Sequence, residues 1–222
     1  MHVFIDLDDT ILDFLKAEEV ALSKTLQDFN IDPTKETVSL YSKINDSLWK
    51  KLETGEMTRE QILVTRFKML FEQLNVDDDY ALANETYKQN LSNGHWFIDG
   101  AEELLENLYK KHRLYIVSNG TTSVQKGRIK SANIEKYFEG IFLSQDIGYN
   151  KPSVKFFENC FKQIKDFDKN NAIILGDSVS SDILGGINAG IKTCLFDPKN
   201  KFSGDIKPDY VIHKLSEFLE IV

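Results

Sequence analysis

The stretch HVFIDLDDT, residues 2–10, runs four largely apolar residues straight into Asp6, Asp8 and Asp9. A short apolar run rich in β-branched and aromatic residues, stopped abruptly by polar ones, predicts a buried strand. Carboxylates this close repel one another, and burying any of them is costly without a cationic partner. Asp6 and Asp8 stand at i and i+2, which on an extended chain directs them to the same side. The stretch therefore predicts a strand whose carboxyl end carries a neutralised acidic cluster.

Working outward, the runs RLYIVS (113–118), GIFLS (140–144), AIILG (172–176) and KTCLF (192–196) have the same strand character, and DYVI (209–212) is a weaker sixth. Helical patterns separate them. Strands alternating with helices predict βαβ units and a parallel sheet covered on both faces. From roughly 16 to 91 the periodicity is helical throughout. There Asp32-Pro33 predicts a helix start, and Thr58 with Gln61 has capping-box spacing ahead of the stripe Ile62, Phe67, Leu70, Leu74. Asp99-Gly100-Ala101-Glu102 predicts another capped start. The expected fold class is α/β: a Rossmann-like parallel sheet core flanked by helices, from 1–13 and 94–222, with an all-helical domain inserted at 14–93.

Open α/β sheets bind ligands beyond the carboxyl ends of their strands. Here those ends carry Asp6 and Asp8, then Ser118-Asn119-Gly120-Thr121, then Asp177 with Asp182 five residues on. Asp6, Asp8, Asp177 and Asp182 together suggest a hard cation held by oxygen, Mg²⁺ being the expected cofactor. Ser118 and Thr121 are candidates for helix caps or for an anion site at a helix start. Lys151 precedes Pro152; with Pro152 as first helical residue, Lys151 would sit at an N-cap, where a cation opposes the helix dipole. A phosphate-binding role explains that placement; a solvated surface lysine is the other reading.

A net charge of −8 argues against a nucleic-acid polymer or an anionic membrane as partner. Asp6 interrupts the apolar start too early for a signal peptide, and no stretch approaches the ~18 apolar residues of a membrane span. Cys160 and Cys194 lack metal-binding spacing and are expected as reduced core residues, so a cytoplasmic location is expected. GxxxxGK[ST], HExxH and GxSxG are absent, which leaves the carboxylates as candidate nucleophiles.

DLDDT (6–10), SNG (118–120), Lys151-Pro152 and GDSVSSD (176–182) resemble, in order, the four motifs of the haloacid dehalogenase-like superfamily. The helical insert resembles that superfamily's α-helical cap. The resemblance implies that Asp6 is the nucleophile and Asp8 the general acid and base. It also implies Mg²⁺ bound by Asp6, the Asp8 carbonyl and Asp177, with Asp182 either a further ligand or a residue that orients the ligands, and Ser118, Asn119 and Lys151 on the phosphoryl oxygens. The superfamily's dehalogenases lack the second aspartate, so Asp8 points to phosphate esters, with sugar-phosphate mutases remaining possible. LWKKLETGEMTREQILVTRF (48–67), GYNKPSVKFF (148–157) and SDILGGINAG (181–190) are most similar to the housekeeping pyrimidine 5′-nucleotidases. That implies a small phosphorylated partner, a nucleotide, with Trp49 and Arg66 as cap residues for the substrate. Trp49 as an interhelix aromatic and Arg66 as a solvated helix charge remain open readings. So do another small phosphate ester, such as phosphoglycolate or a sugar phosphate, a non-catalytic phosphate-binding role, and a monomer or a homodimer.

Overall fold

A computed structural model of the chain describes the backbone of residues 1–222 and every side chain except that of Glu53. The chain divides into two compact units, one of Met1–Phe14 with His95–Val222, the other Leu15–Gly94.

The first unit is built on six strands: β1 (His2–Ile5), β2 (Arg113–Ser118), β3 (Gly140–Leu143), β4 (Ala172–Gly176), β5 (Lys192–Phe196) and β6 (Tyr210–Ile212). Their spatial order is β3-β2-β1-β4-β5-β6, and every adjacent pair is parallel. β1 is thus central, between β2 and β4, and the strand order reverses beside it. That reversal opens a crevice at the carboxyl ends of β1, β2 and β4.

Alternation along the strands supplies both faces. Val3, Ile5, Leu114, Ile116, Ile173 and Leu175 pack in one cluster with Leu104, Leu105 and Phe218. Phe4, Tyr115, Val117, Ala172 and Ile174 pack on the opposite face with Phe156, Phe157 and Cys160. Both faces being covered is why these strands read as near-continuous apolar runs. Cys160 and Cys194 are buried free thiols.

The helices are α1 (Phe14–Asp28), α2 (Lys35–Glu53), α3 (Arg59–Leu74), α4 (Tyr80–Leu91), α5 (Ala101–Leu108), α6 (Thr122–Ser131), α7 (Ser144–Ile147), α8 (Val154–Phe161) and α9 (Leu184–Ala189). A π-helical turn, Val179–Ile183, leads into α9.

Three expected helix starts differ. α2 begins after Thr34, whose hydroxyl accepts from the Thr37 N–H at 3.2 Å, so Asp32-Pro33 lies outside the helix. α5 begins after Gly100, which sits at φ 80° with no side-chain cap, so Asp99 does not cap it. α8 begins after Ser153, which leaves Pro152 outside the helix and Lys151 away from the N-cap. At Thr58 the capping box forms in both directions, Gln61 N–H to the Thr58 hydroxyl and Thr58 N–H to Gln61 Oε1.

The second unit packs the remainder of α1 with α2, α3 and α4. Tyr41, Phe67 and Tyr87 form a triangle of buried rings, with centroids 5.1–5.5 Å apart.

Candidate active site

The strand ends at the sheet's centre gather the acidic residues. Asp6, directly after β1, is held by its backbone N–H on the Leu175 carbonyl of β4 at 2.9 Å. Asp177 follows β4, and Asp182 comes from the π-helical turn. Among the described residues, Asp6, Asp177 and Asp182 place carboxylate oxygens within 4.8 Å of one another. Gly176 makes the approach possible, because a Cβ there would fall on the Asp182 carboxyl.

Lys151 reaches into this cluster and is 1% exposed. Its Nζ donates to Asp6 Oδ1 at 2.5 Å, to Asp182 Oδ1 at 2.6 Å and to the Val117 carbonyl at 2.8 Å. Its backbone is fixed by Asn119: Nδ2 donates to the Lys151 carbonyl and Oδ1 accepts from the Lys151 N–H, both at 2.9 Å. Lys151 breaks the N-cap rule only in the sequence; in the fold it is a buried cation between two carboxylates.

The charges do not balance. Burial pushes the Asp6 carboxyl well up, the nearby Asp182 and Asp8 charges add to that, and Lys151 offsets only part of it. Asp177 is likewise pushed well up, first by burial and then by Asp6, Asp182 and Asp9. Burial opposes the charge on Lys151, yet Asp182 and Asp6 outweigh it and hold the ammonium above the ordinary lysine range. One ammonium against three carboxylates leaves two carboxyl groups without a counter-charge, which burial and mutual repulsion make costly to ionise. A small divalent cation with oxygen ligands fits that donor set and that deficit.

Asp8 departs from the expected four-carboxylate group. Beyond the end of β1 the chain turns: Asp9 adopts φ 54°, and Asp8 bridges to Leu12 rather than continuing an extended strand. The Asp8 carboxylate stays near enough for its charge to help raise the Asp6 carboxyl. The Asp8 carboxylate is instead engaged by Gln125 and Arg128 of α6, two residues that the sequence reading did not single out. Ser118 ends β2, and its hydroxyl accepts from the Gly120 N–H at 3.0 Å. Thr121 is the N-cap of α6 but makes no side-chain cap bond.

Trp49 and Arg66 belong to the helical unit and make their contacts within it. Arg66, on α3, is 3% exposed, so it is not a solvated charge. Its Nε and NH2 donate to Asn84 Oδ1 at 2.9 and 2.7 Å, and its guanidinium lies 4.7 Å from the Tyr87 ring centroid. Trp49 is half-buried, and its Nε1 donates to Asn45 Oδ1 at 3.1 Å. Asn45 in turn donates to the buried Glu18 carboxylate at 2.8 Å.

The haloacid dehalogenase-like hydrolase family model matches residues 3–196. The HAD-hydrolase YfnB of Bacillus subtilis is 39% identical over 221 residues, covering 99% of this chain and 94% of the relative. Pyrimidine 5′-nucleotidase PynA of Streptococcus pneumoniae is 31% identical over 98% of this chain and 93% of its own length. Pyrimidine 5′-nucleotidase YjjG of Escherichia coli is 28% identical, over 99% and 96%. The crystal structure of YfnB bound to magnesium superimposes with a TM-score of 0.94, covering 99% of this chain and 97% of that one.

Proposed function

The chain belongs to the haloacid dehalogenase-like hydrolases, and from that premise we propose that it is a Mg²⁺-dependent 5′-nucleotidase acting on pyrimidine nucleoside monophosphates. The observation that carries the chemistry is the buried Asp6–Lys151–Asp182 contact with Asp177 beside it. A nucleophilic carboxylate, a fixed cation and a carboxylate set able to hold a divalent cation suit phosphoryl transfer to an aspartate.

Asp6 attacks phosphorus; the Asp6 oxygen–phosphorus bond forms as the ester bond to the leaving oxygen breaks. Asp8 gives its proton to that oxygen. It then takes a proton from the water that attacks the aspartyl-phosphate, releasing phosphate and restoring Asp6. The Ser118 hydroxyl and the Lys151 ammonium meet the equatorial oxygens, and Asn119 keeps Lys151 in place through its backbone. Asp6, Asp177 and Asp182, with the Asp8 carbonyl, would hold Mg²⁺, which supplies charge neutralisation for nucleophile and phosphoryl group.

The substrate assignment is supported by two relatives named as pyrimidine 5′-nucleotidases, one of them above 30% identity. We assign substrate choice to the helical unit and Trp49, half-buried there, to base stacking. Arg66 supports it through the Asn45 that both residues approach. The deciding experiment compares kcat/KM for UMP, dUMP and dTMP with phosphoglycolate, glyceraldehyde 3-phosphate and hexose phosphates in Mg²⁺. Preference for the nucleotides is expected, and Trp49→Ala should raise KM for them more than for p-nitrophenyl phosphate, stacking being worth roughly 1–3 kcal/mol. A clear preference for a sugar phosphate would overturn the substrate and leave the chemistry standing.

A further inference from the structure

α6 carries Gln125 and Arg128 at i and i+3, hence on one side of the helix. Arg128 is fully buried, with its guanidinium 5.6 Å from the Phe14 ring centroid. It donates to Asp8 Oδ1 and, at 3.3 Å, to Gln125 Oε1. A guanidinium has donors only, so the oxygen of the Gln125 amide must face it. The amide NH2 is thereby forced to the other side, where it donates to Asp8 Oδ2 at 2.6 Å and to Ser118 Oγ at 2.8 Å. Both Asp8 oxygens are engaged from α6. The Ser118 oxygen accepts from Gln125 and from the Gly120 N–H, which leaves its own proton to be donated away from both. Gly120 is part of the arrangement, because a Cβ there would collide with the Gln125 amide.

We infer that Gln125 and Arg128 are positioning residues that fix the Asp8 carboxylate for proton transfer and orient the Ser118 hydroxyl toward the phosphoryl group. Arg128 sets the amide of Gln125, and Gln125 links the proton carrier to the phosphoryl-binding hydroxyl. The inference rests on the phosphatase reading above and adds two residues to it. A proton carrier misplaced by about an ångström loses much of its effect. The loss shows most where the leaving oxygen needs a proton and least where it leaves readily as an anion.

The experiment measures Arg128→Met, Arg128→Lys and Gln125→Leu on a nucleoside monophosphate and on p-nitrophenyl phosphate. For Arg128→Met we expect the single-turnover rate of Asp6 phosphorylation by the nucleotide to fall about 10²-fold, the scale of general acid–base catalysis, and by p-nitrophenyl phosphate less than about tenfold. Arg128→Lys, which keeps a donor, should recover part of the loss, and Gln125→Leu should follow the same split. In an Asp8→Asn background, Arg128→Met should change the residual p-nitrophenyl phosphate rate by less than about threefold, as coupled sites are not additive. Equal losses of phosphorylation rate on both substrates, or the full loss repeated in the Asp8→Asn background, would overturn the positioning role. If the unaltered chain hydrolyses no phosphate ester, the functional reading fails separately. Crystal structures then decide the positioning: an Asp8 carboxylate that stays in place in both Arg128→Met and Gln125→Leu overturns it, and a displaced one supports it.

Discussion

Asp6 and Asp8 have identical chemistry and stand two residues apart, yet their neighbours assign them different work. Asp6 meets a lysine ammonium and two further carboxylates, an environment that suits a nucleophile beside a cation. Asp8 meets only donors from α6 among the contacts described above, an environment that fixes where its two oxygens lie. Asp6→Asn should abolish turnover and phosphoenzyme together, because an amide cannot take its place. Asp8→Asn should cut steady-state turnover by about 10²–10⁴-fold. It should still let an activated ester phosphorylate Asp6, so aspartyl-phosphate accumulates. Rapid quench with labelled substrate, then mass spectrometry of the peptide carrying Asp6, checks both outcomes. Label in Asp6→Asn and none in Asp8→Asn would reverse the roles. Lys151 teaches a related lesson: the sequence marked it as misplaced, and only the fold explains why, since its side chain turns inward to Asp6 and Asp182.

At the scale of elements, close approach decides which glycines matter. Gly176 ends β4 where the Asp182 carboxyl crosses it. Gly176→Ala should therefore displace Asp182 from Lys151, costing about 1–3 kcal/mol as an overpacking change and most of the activity. Urea denaturation and a single-substrate assay measure the two effects. Unchanged stability with full activity would show that the turn yields without harm. The strands were legible in the sequence because burial on both faces leaves an unbroken apolar run, as in Ile173–Leu175. The acidic cluster was legible because its members fall at strand ends. Gln125 and Arg128 were not: TSVQKGRIKS reads as an ordinary polar helix, and nothing local says that its arginine is buried. Helix starts at Thr34, Gly100 and Ser153 were missed by one or two residues, because a cap is set by backbone angles that several neighbouring residue types tolerate.

For the whole molecule, the unbalanced charge at the sheet's centre ties stability to metal. A ligand bound by the folded state alone stabilises it by about 2.7 kcal/mol at a hundred times its Kd, and each kcal/mol moves Tm by about 2–4 °C at this size. Mg²⁺ should thus raise the melting temperature of the α/β unit, EDTA should reverse the rise, and Asp177→Asn should remove most of it; differential scanning calorimetry reads all three. A melting temperature indifferent to Mg²⁺ would sink the metal assignment. The central position of β1 has a further consequence, in time rather than in space. Both of its neighbours come late, β2 from residue 113 and β4 from residue 172. At about 5–20 residues per second, a ribosome delivers the first strand roughly 8–35 s before the second of those neighbours exists. Throughout that interval the nascent chain carries an apolar strand with at least one edge unpaired, while the helical segment behind it is complete by residue 94. Folding of the α/β unit therefore waits on the synthesis of β4, and a chaperone that shields β1 until then acts where the need is greatest.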